Sequence, residues 1–183
     1  MAKIIGIAGS LRKASINAAL LRAAAELTPA GHEVQIASIA GIPLYDGDLE
    51  SERGVPEAVT TLKDQIAAAD GLLLVTPEYN NSMPGVLKNV VDWLSRPAKD
   101  IARVFGDKPV ALIGATPGPG GTRLSQAAWL PVLRTLGTRP WFGKSLFVAG
   151  AGSVFDADGK LVDEKIKKLL GELMTGFTAA CQK

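Results

Sequence analysis

Four polar side chains fall within eight residues near the start of the chain: Ser10, Arg12, Ser15 and Asn17. They follow an apolar run, Ile4, Ile5, Ile7 and Ala8, whose β-branched residues suit a strand buried on both faces of a parallel sheet. They precede an Ala/Leu-rich stretch, residues 18–26, that reads as helix. A strand that feeds a donor-rich loop and then a helix N-terminus is an arrangement that binds phosphate, because unpaired N–H groups and the positive dipole end both face the anion. Ser and Asn before a helix also make ordinary caps, and Arg12 with Lys13 also makes a solvated loop, so these residues alone leave both readings open. No Gly-Lys-Ser/Thr follows, and Gly6 and Gly9 miss the Gly-x-Gly-x-x-Gly spacing. What remains is a mononucleotide phosphate held by hydroxyls and one guanidinium.

A second polar stretch follows the uninterrupted apolar run at residues 71–75. It reads Thr76-Pro77-Glu78-Tyr79-Asn80-Asn81-Ser82-Met83-Pro84-Gly85, with Pro84 placed to open a helix over residues 85–95. An aromatic with amides beside it suits a flat heteroaromatic ring: Tyr79 flanks a face, while Asn80, Asn81 and backbone N–H groups address the polar edge. Pro and Asn also simply make turns. A third strand end, after residues 109–115, leads into Thr116-Pro117-Gly118-Pro119-Gly120-Gly121-Thr122-Arg123, where glycines allow close backbone approach to a ligand. Glu78, Tyr79 and Asp92 are the acid/base candidates near these loops, and Asp92 reads as structural.

The elements that must position these loops alternate. Residues 33–37 alternate polar and apolar, as a strand near a sheet edge does; residues 55–69 carry Val59, Leu62, Ile66 and Ala69 at helical spacing. Residues 124–136 read as helix, 146–149 as a fifth strand, and Asp163 as the cap of a final helix to about Ala180. Residues 40–56 read as one long loop, of a length more often functional or interface-forming than idle. Five strand–helix alternations predict a parallel, doubly wound α/β sheet of the flavodoxin kind, order 2-1-3-4-5, with helices on both faces and the whole of residues 1–183 in one domain. In such sheets ligands lie outside the strands' carboxyl ends, where both polar loops fall.

Composition narrows the chemistry further. The net charge is +2, and Lys and Arg are spread along the chain, which speaks against nucleic acid as a partner. The single histidine, His32, sits in an Ala-Gly-His-Glu turn, so Ser-His-Asp and Cys-His catalysis and His/Cys metal sites are not expected. One cysteine, Cys181, permits no intramolecular disulfide, and no apolar stretch approaches the roughly 18 residues of a membrane span. A cytoplasmic protein without a membrane partner is expected.

With both loops in view, the chain resembles the NAD(P)H-dependent FMN reductases of the flavodoxin-like superfamily, including bacterial enzymes described as quinone or chromate reductases. The match is carried by Gly9-Ser10-Leu11-Arg12-Lys13-Ala14-Ser15-Ile16-Asn17 and by the run from Thr76 through Pro84-Gly85-Val86-Leu87-Lys88-Asn89-Val90-Val91-Asp92-Trp93. The resemblance implies that Ser10, Arg12, Ser15 and Asn17, with Ile16 between them, hold the FMN phosphate. It implies that Pro77, Glu78, Tyr79, Asn80, Asn81 and Ser82 lie along the isoalloxazine ring, with Thr116 and Gly118 at its other edge. It further implies NADPH or NADH as donor, a hydride passed to flavin N5, and ping-pong delivery of electrons to a small acceptor such as a quinone, a flavin or a metal oxyanion. A homodimer or homotetramer is implied too. FMN rather than FAD is expected, since an adenylate needs a further groove that no motif supplies. The rival is a non-enzymatic flavodoxin-like electron carrier, a class that tends to be strongly acidic, unlike this chain.

Overall fold

The computed structural model describes residues 1–182. Its sheet is parallel, in the order β2 (Glu33–Ala37), β1 (Lys3–Ala8), β3 (Gly71–Val75), β4 (Pro109–Ala115), as the alternation predicts. The fifth position is shared by two short segments, β5 (Arg139–Pro140) and β6 (Leu146–Val148), both paired with β4. The expected single strand at 146–149 is therefore half of a broken edge. Neither piece is long enough to show a period of two.

Alternate strand residues face opposite sides, and each side has its own core. Ile4 and Leu73 join Leu20 and Leu21 of α1 (Ile16–Glu26) and Leu170, Leu173, Met174 and Phe177 of α7 (Glu164–Ala180). Ile5, Ile7, Leu72 and Leu74 face the other way, against α3 (Glu57–Ala67), α4 (Gly85–Leu94), α5 (Ile101–Phe105) and α6 (Arg123–Thr135), with Trp93 and Trp129 completely buried. β3 is buried along its whole length, which explains its unbroken apolar run.

Two helices are absent from the sequence reading. The stretch 40–56 contains α2 (Gly47–Arg53), capped by the Asp46 carboxylate accepting from the Asp48 amide, with acids in the first turn and Arg53 in the last. No residue of α2 is buried, so hydrophobic periodicity had nothing to report. α5, preceded by a single 3-10 turn over Ala98–Asp100, is shorter still, at 5 residues. Pro84 is the N-cap of α4, one position before the predicted first-turn place.

Cys181 packs half-buried where α7 ends against Gly71 and beside Asp70. Burial first, and the Asp70 carboxylate second, push its thiol from about 9.0 up to about 12. A raised folded-state pKa contributes stability that is full below the unfolded value and lost as pH rises through the folded one. Between about pH 9 and 12 the wild type should therefore lose stability faster than Cys181→Ala, compared by denaturant titration. Identical alkaline limbs would show that the thiol is freely ionised.

Candidate functional site

The carboxyl ends of β1, β3 and β4 are held level by one further hydrogen bond past each strand. Gly9 N donates to Val75 O at 2.9 Å, Thr76 N to Ile113 O at 2.8 Å and Thr116 N to Val148 O at 2.9 Å. The three loops thus open side by side, and β1 lies between β2 and β3, where the winding of the sheet reverses. Gly9 is needed there because a Cβ would stand 2.9 Å from Leu87 Cδ2 and 3.0 Å from Pro77 Cδ. A side chain at that position would force Leu87 of α4 and Pro77 of the loop after β3 to shift.

Between the loops is a cavity of about 190 Å³ lined by Ser10, Arg12, Ser15, Ile16, Asn17, Pro77, Glu78, Tyr79 and Thr116, together with Ala14, Ala115 and Pro117. Of the residues singled out in the sequence, Asn80, Asn81, Ser82 and Gly118 lie outside its lining. Tyr79 and Ser82 exchange backbone hydrogen bonds of 3.1 and 3.0 Å as a two-residue hairpin. Asn80 and Asn81 form its tip at φ 50° and 61°, the double left-handed conformation of a type I′ turn. Gly118 O accepts from Gly150 N at 3.1 Å, which fastens the third loop to the segment after β6.

The donors differ in how free they are. Ser15 is the N-cap of α1: its Oγ accepts from Ala18 N at 3.2 Å, which leaves its hydroxyl hydrogen for another acceptor. Ser10 Oγ accepts the Arg12 amide at 3.3 Å and keeps its hydrogen in the same way. Arg12 is exposed and, among the described residues, pairs with no carboxylate. Asn17 is different. It is only 3% exposed, its Nδ2 donates to Ala115 O and its Oδ1 accepts from Ala115 N, both at 2.9 Å. The side chain read as a phosphate donor therefore ties α1 to the end of β4, with one Nδ2 hydrogen left over.

Glu78 also has a use that its sequence position does not reveal. Its Oε2 accepts the amides of Leu124 at 2.9 Å and Ser125 at 3.0 Å, so the carboxylate caps α6. Negative charge at a helix N-terminus is stabilising, and the acid/base role considered for Glu78 loses its support. Beneath it, Thr76 Oγ1 meets Ser125 Oγ at 2.8 Å and accepts from Trp129 Nε1 at 3.1 Å, a buried knot that fixes α6 to the end of β3. Asp92 pairs with Lys88 at 2.7 Å along the surface of α4.

Residues 2–162 match the family model described as NADPH-dependent FMN reductase. The chain belongs to that family. It is an NAD(P)H-dependent FMN oxidoreductase with a flavodoxin-like fold. An NAD(P)H-dependent FMN reductase of Pseudomonas aeruginosa is 44% identical over 168 residues, 92% of this chain and 89% of the relative. A 2-hydroxy-1,4-benzoquinone reductase of a Burkholderia species is 41% identical over 177 residues, 97% and 94% of the two chains. Among solved structures, FerB, a flavoenzyme NAD(P)H:(acceptor) oxidoreductase from Paracoccus denitrificans, superposes with a TM-score of 0.88 at 34% identity, covering 100% of this chain and 98% of its own. The cavity suits the flavin's phosphate end: two hydroxyls, the Arg12 guanidinium, which pairs with no carboxylate among the described residues, and the N-terminus of α1 line it. Among the described residues the reductase has no cluster of His, Cys, Asp and Glu that could hold a metal ion, and no helix long and apolar enough to cross a membrane.

Proposed function

We propose that the cavity between the three loops holds FMN, phosphate end against α1, and that the enzyme uses it to reduce a quinone with NAD(P)H. Ser10, Arg12 and Ser15 donate to the phosphate, and the leftover Nδ2 hydrogen of Asn17 serves it from the floor. Pro77, Glu78 and Tyr79 border the ring, with Thr116 on its opposite edge. The observation that carries this reading is the convergence of free donors and an uncompensated guanidinium at one helix N-terminus, in the crevice where the sheet reverses.

FMN held there would supply the redox chemistry, a two-electron transfer from NAD(P)H to the acceptor completed by a proton from solvent. The protein's part is to bind and orient. Tyr79, 50% exposed at the base of its rigid hairpin, offers an aromatic surface to flat reactants. A quinone fits as acceptor because it is flat and needs no protein nucleophile, and the Burkholderia relative is named for one. Donor and quinone share that surface in turn, so double-reciprocal plots of rate against NADPH at several benzoquinone concentrations should be parallel. Intersecting lines would show both bound together and remove the shared surface from the reading.

Assembly as a homodimer or homotetramer in the cytoplasm belongs to the same proposal. Its support is Leu44, which is 82% exposed yet rigidly presented: Asn89 brackets it, accepting from Tyr45 N and donating to Pro43 O, both at 2.8 Å.

A further inference from the structure

The break in the edge strand opens a second cavity. β4 pairs with β5 as far as Val110 and with β6 only from Ile113, so Ala111 and Leu112 have no strand partner on that side. Over this gap lies a cavity of about 220 Å³, walled by Leu112, Leu130, Trp141, Phe142 and Phe147. It shares no lining residue with the flavin cavity, yet the two meet at one helix end. Glu78, in the wall of the flavin cavity, accepts the Leu124 amide at 2.9 Å, and the adjacent Arg123 lines the second cavity. From Arg123 the cavity follows α6 to Leu130, about 10 Å at roughly 1.5 Å per residue. The Arg123 guanidinium lies 5.4 Å over the Phe147 ring and pairs with no carboxylate among the described residues. Lys144, also in the lining, is engaged by Glu172. Gln126 is only 8% exposed; its Nε2 donates to Thr122 Oγ1 and Leu146 O, both at 3.0 Å, while its Oε1 accepts nothing among the described residues.

We propose that this cavity takes the adenosine end of the nicotinamide donor and that Arg123 reads its 2′-phosphate, so that the enzyme prefers NADPH to NADH. The inference rests on the flavin lying in the three-loop cavity, which puts the nicotinamide at Tyr79 and leaves the rest of the donor to cross the N-terminus of α6. A purine is flat and stacks on the faces that Trp141 and Phe142 offer. Gln126 Oε1 is an acceptor for its exocyclic amine. With the base in the gap, the ribose stands at the mouth beside Arg123, where a planar guanidinium suits a phosphate dianion. No carboxylate lines the cavity among the described residues, so nothing there accepts from a free 2′-hydroxyl, the contact that favours NADH in dinucleotide folds.

Two measurements test it. In steady-state kinetics of the holoenzyme, kcat/KM for NADPH should exceed that for NADH roughly 10- to 150-fold, the worth of one charge-assisted hydrogen bond. Arg123→Ala should bring that ratio to within about threefold of unity, and Arg123→Lys should keep part of it. By calorimetry, 2′,5′-ADP should bind the wild type at least about tenfold more tightly than 5′-ADP. Ala127→Trp fills the cavity from the exposed side of α6 and should abolish that heat, while its FMN titration matches the wild type. Equal use of the two donors, a preference for NADH, equal losses for both donors in Arg123→Ala, or 2′,5′-ADP binding that survives Ala127→Trp would each overturn the proposal. The probe needs no flavin, so the two readings fail separately: apoprotein that binds 2′,5′-ADP but not FMN keeps the adenosine cavity and overturns the cradle.

Discussion

Arg12→Ala should weaken FMN binding roughly 10- to 150-fold while turnover at saturating FMN stays within about threefold of wild type. The figure is that of one charge-assisted hydrogen bond, about 1.5–3 kcal/mol, read at about 1.4 kcal/mol per decade. The effect should fall on binding because the phosphate is unchanged through turnover, so the guanidinium stabilises every redox state alike and lowers no barrier. Stability of the apoprotein should not move, since the side chain is exposed and, among the described residues, carries no ion pair. Titration of apoprotein with FMN, set beside denaturant unfolding, checks both halves. Normal FMN affinity would make Arg12 a solvated loop residue and take the charge out of the cradle.

The strands that frame the site were legible because burial on both faces writes an unbroken apolar run, as in β3, and because polar residues follow where such a run stops at the sheet's ligand-binding end. The start of α1 was less legible: the Ala/Leu-rich stretch begins at residue 18 and leaves Ser15 and Asn17 in the loop, whereas α1 starts at Ile16 with Ser15 as its cap and Asn17 inside it. The α2 helix was hidden for the opposite reason: it buries nothing, and only its cap and end charges, Asp46, Asp48, Glu50 and Arg53, spell it. The broken fifth strand hides because Arg139–Pro140 is too short for any period. At the site, sequence identified the polar groups but not their partners. Asn17 and Ala115 are 98 residues apart, and Glu78 and Leu124 are 46 apart. A donor committed to a distant backbone amide reads in sequence like a donor waiting for a ligand.

That distinction gives Asn17 a signature unlike that of Arg12. Asn17→Ala removes both bonds to Ala115 and leaves a buried N–H and C=O without partners at the end of β4. Each unsatisfied buried group costs about 1–3 kcal/mol. The apoprotein should therefore lose about 2–6 kcal/mol, roughly 30- to 20,000-fold in its folding constant and a large part of the roughly 5–15 kcal/mol typical of a domain. Asn17→Asp keeps the acceptor for Ala115 N but sets a carboxylate oxygen against Ala115 O, so it should fare no better than alanine. Urea titration of the apoproteins measures this without any flavin present. Because Ala115 also lines the cavity, loosening the tie lets the first and third loops move apart, and FMN affinity should fall with stability. If Asn17→Ala keeps the wild-type urea midpoint and loses only FMN affinity, the amide acts as a ligand donor first and the bond to Ala115 contributes little to holding the loops together.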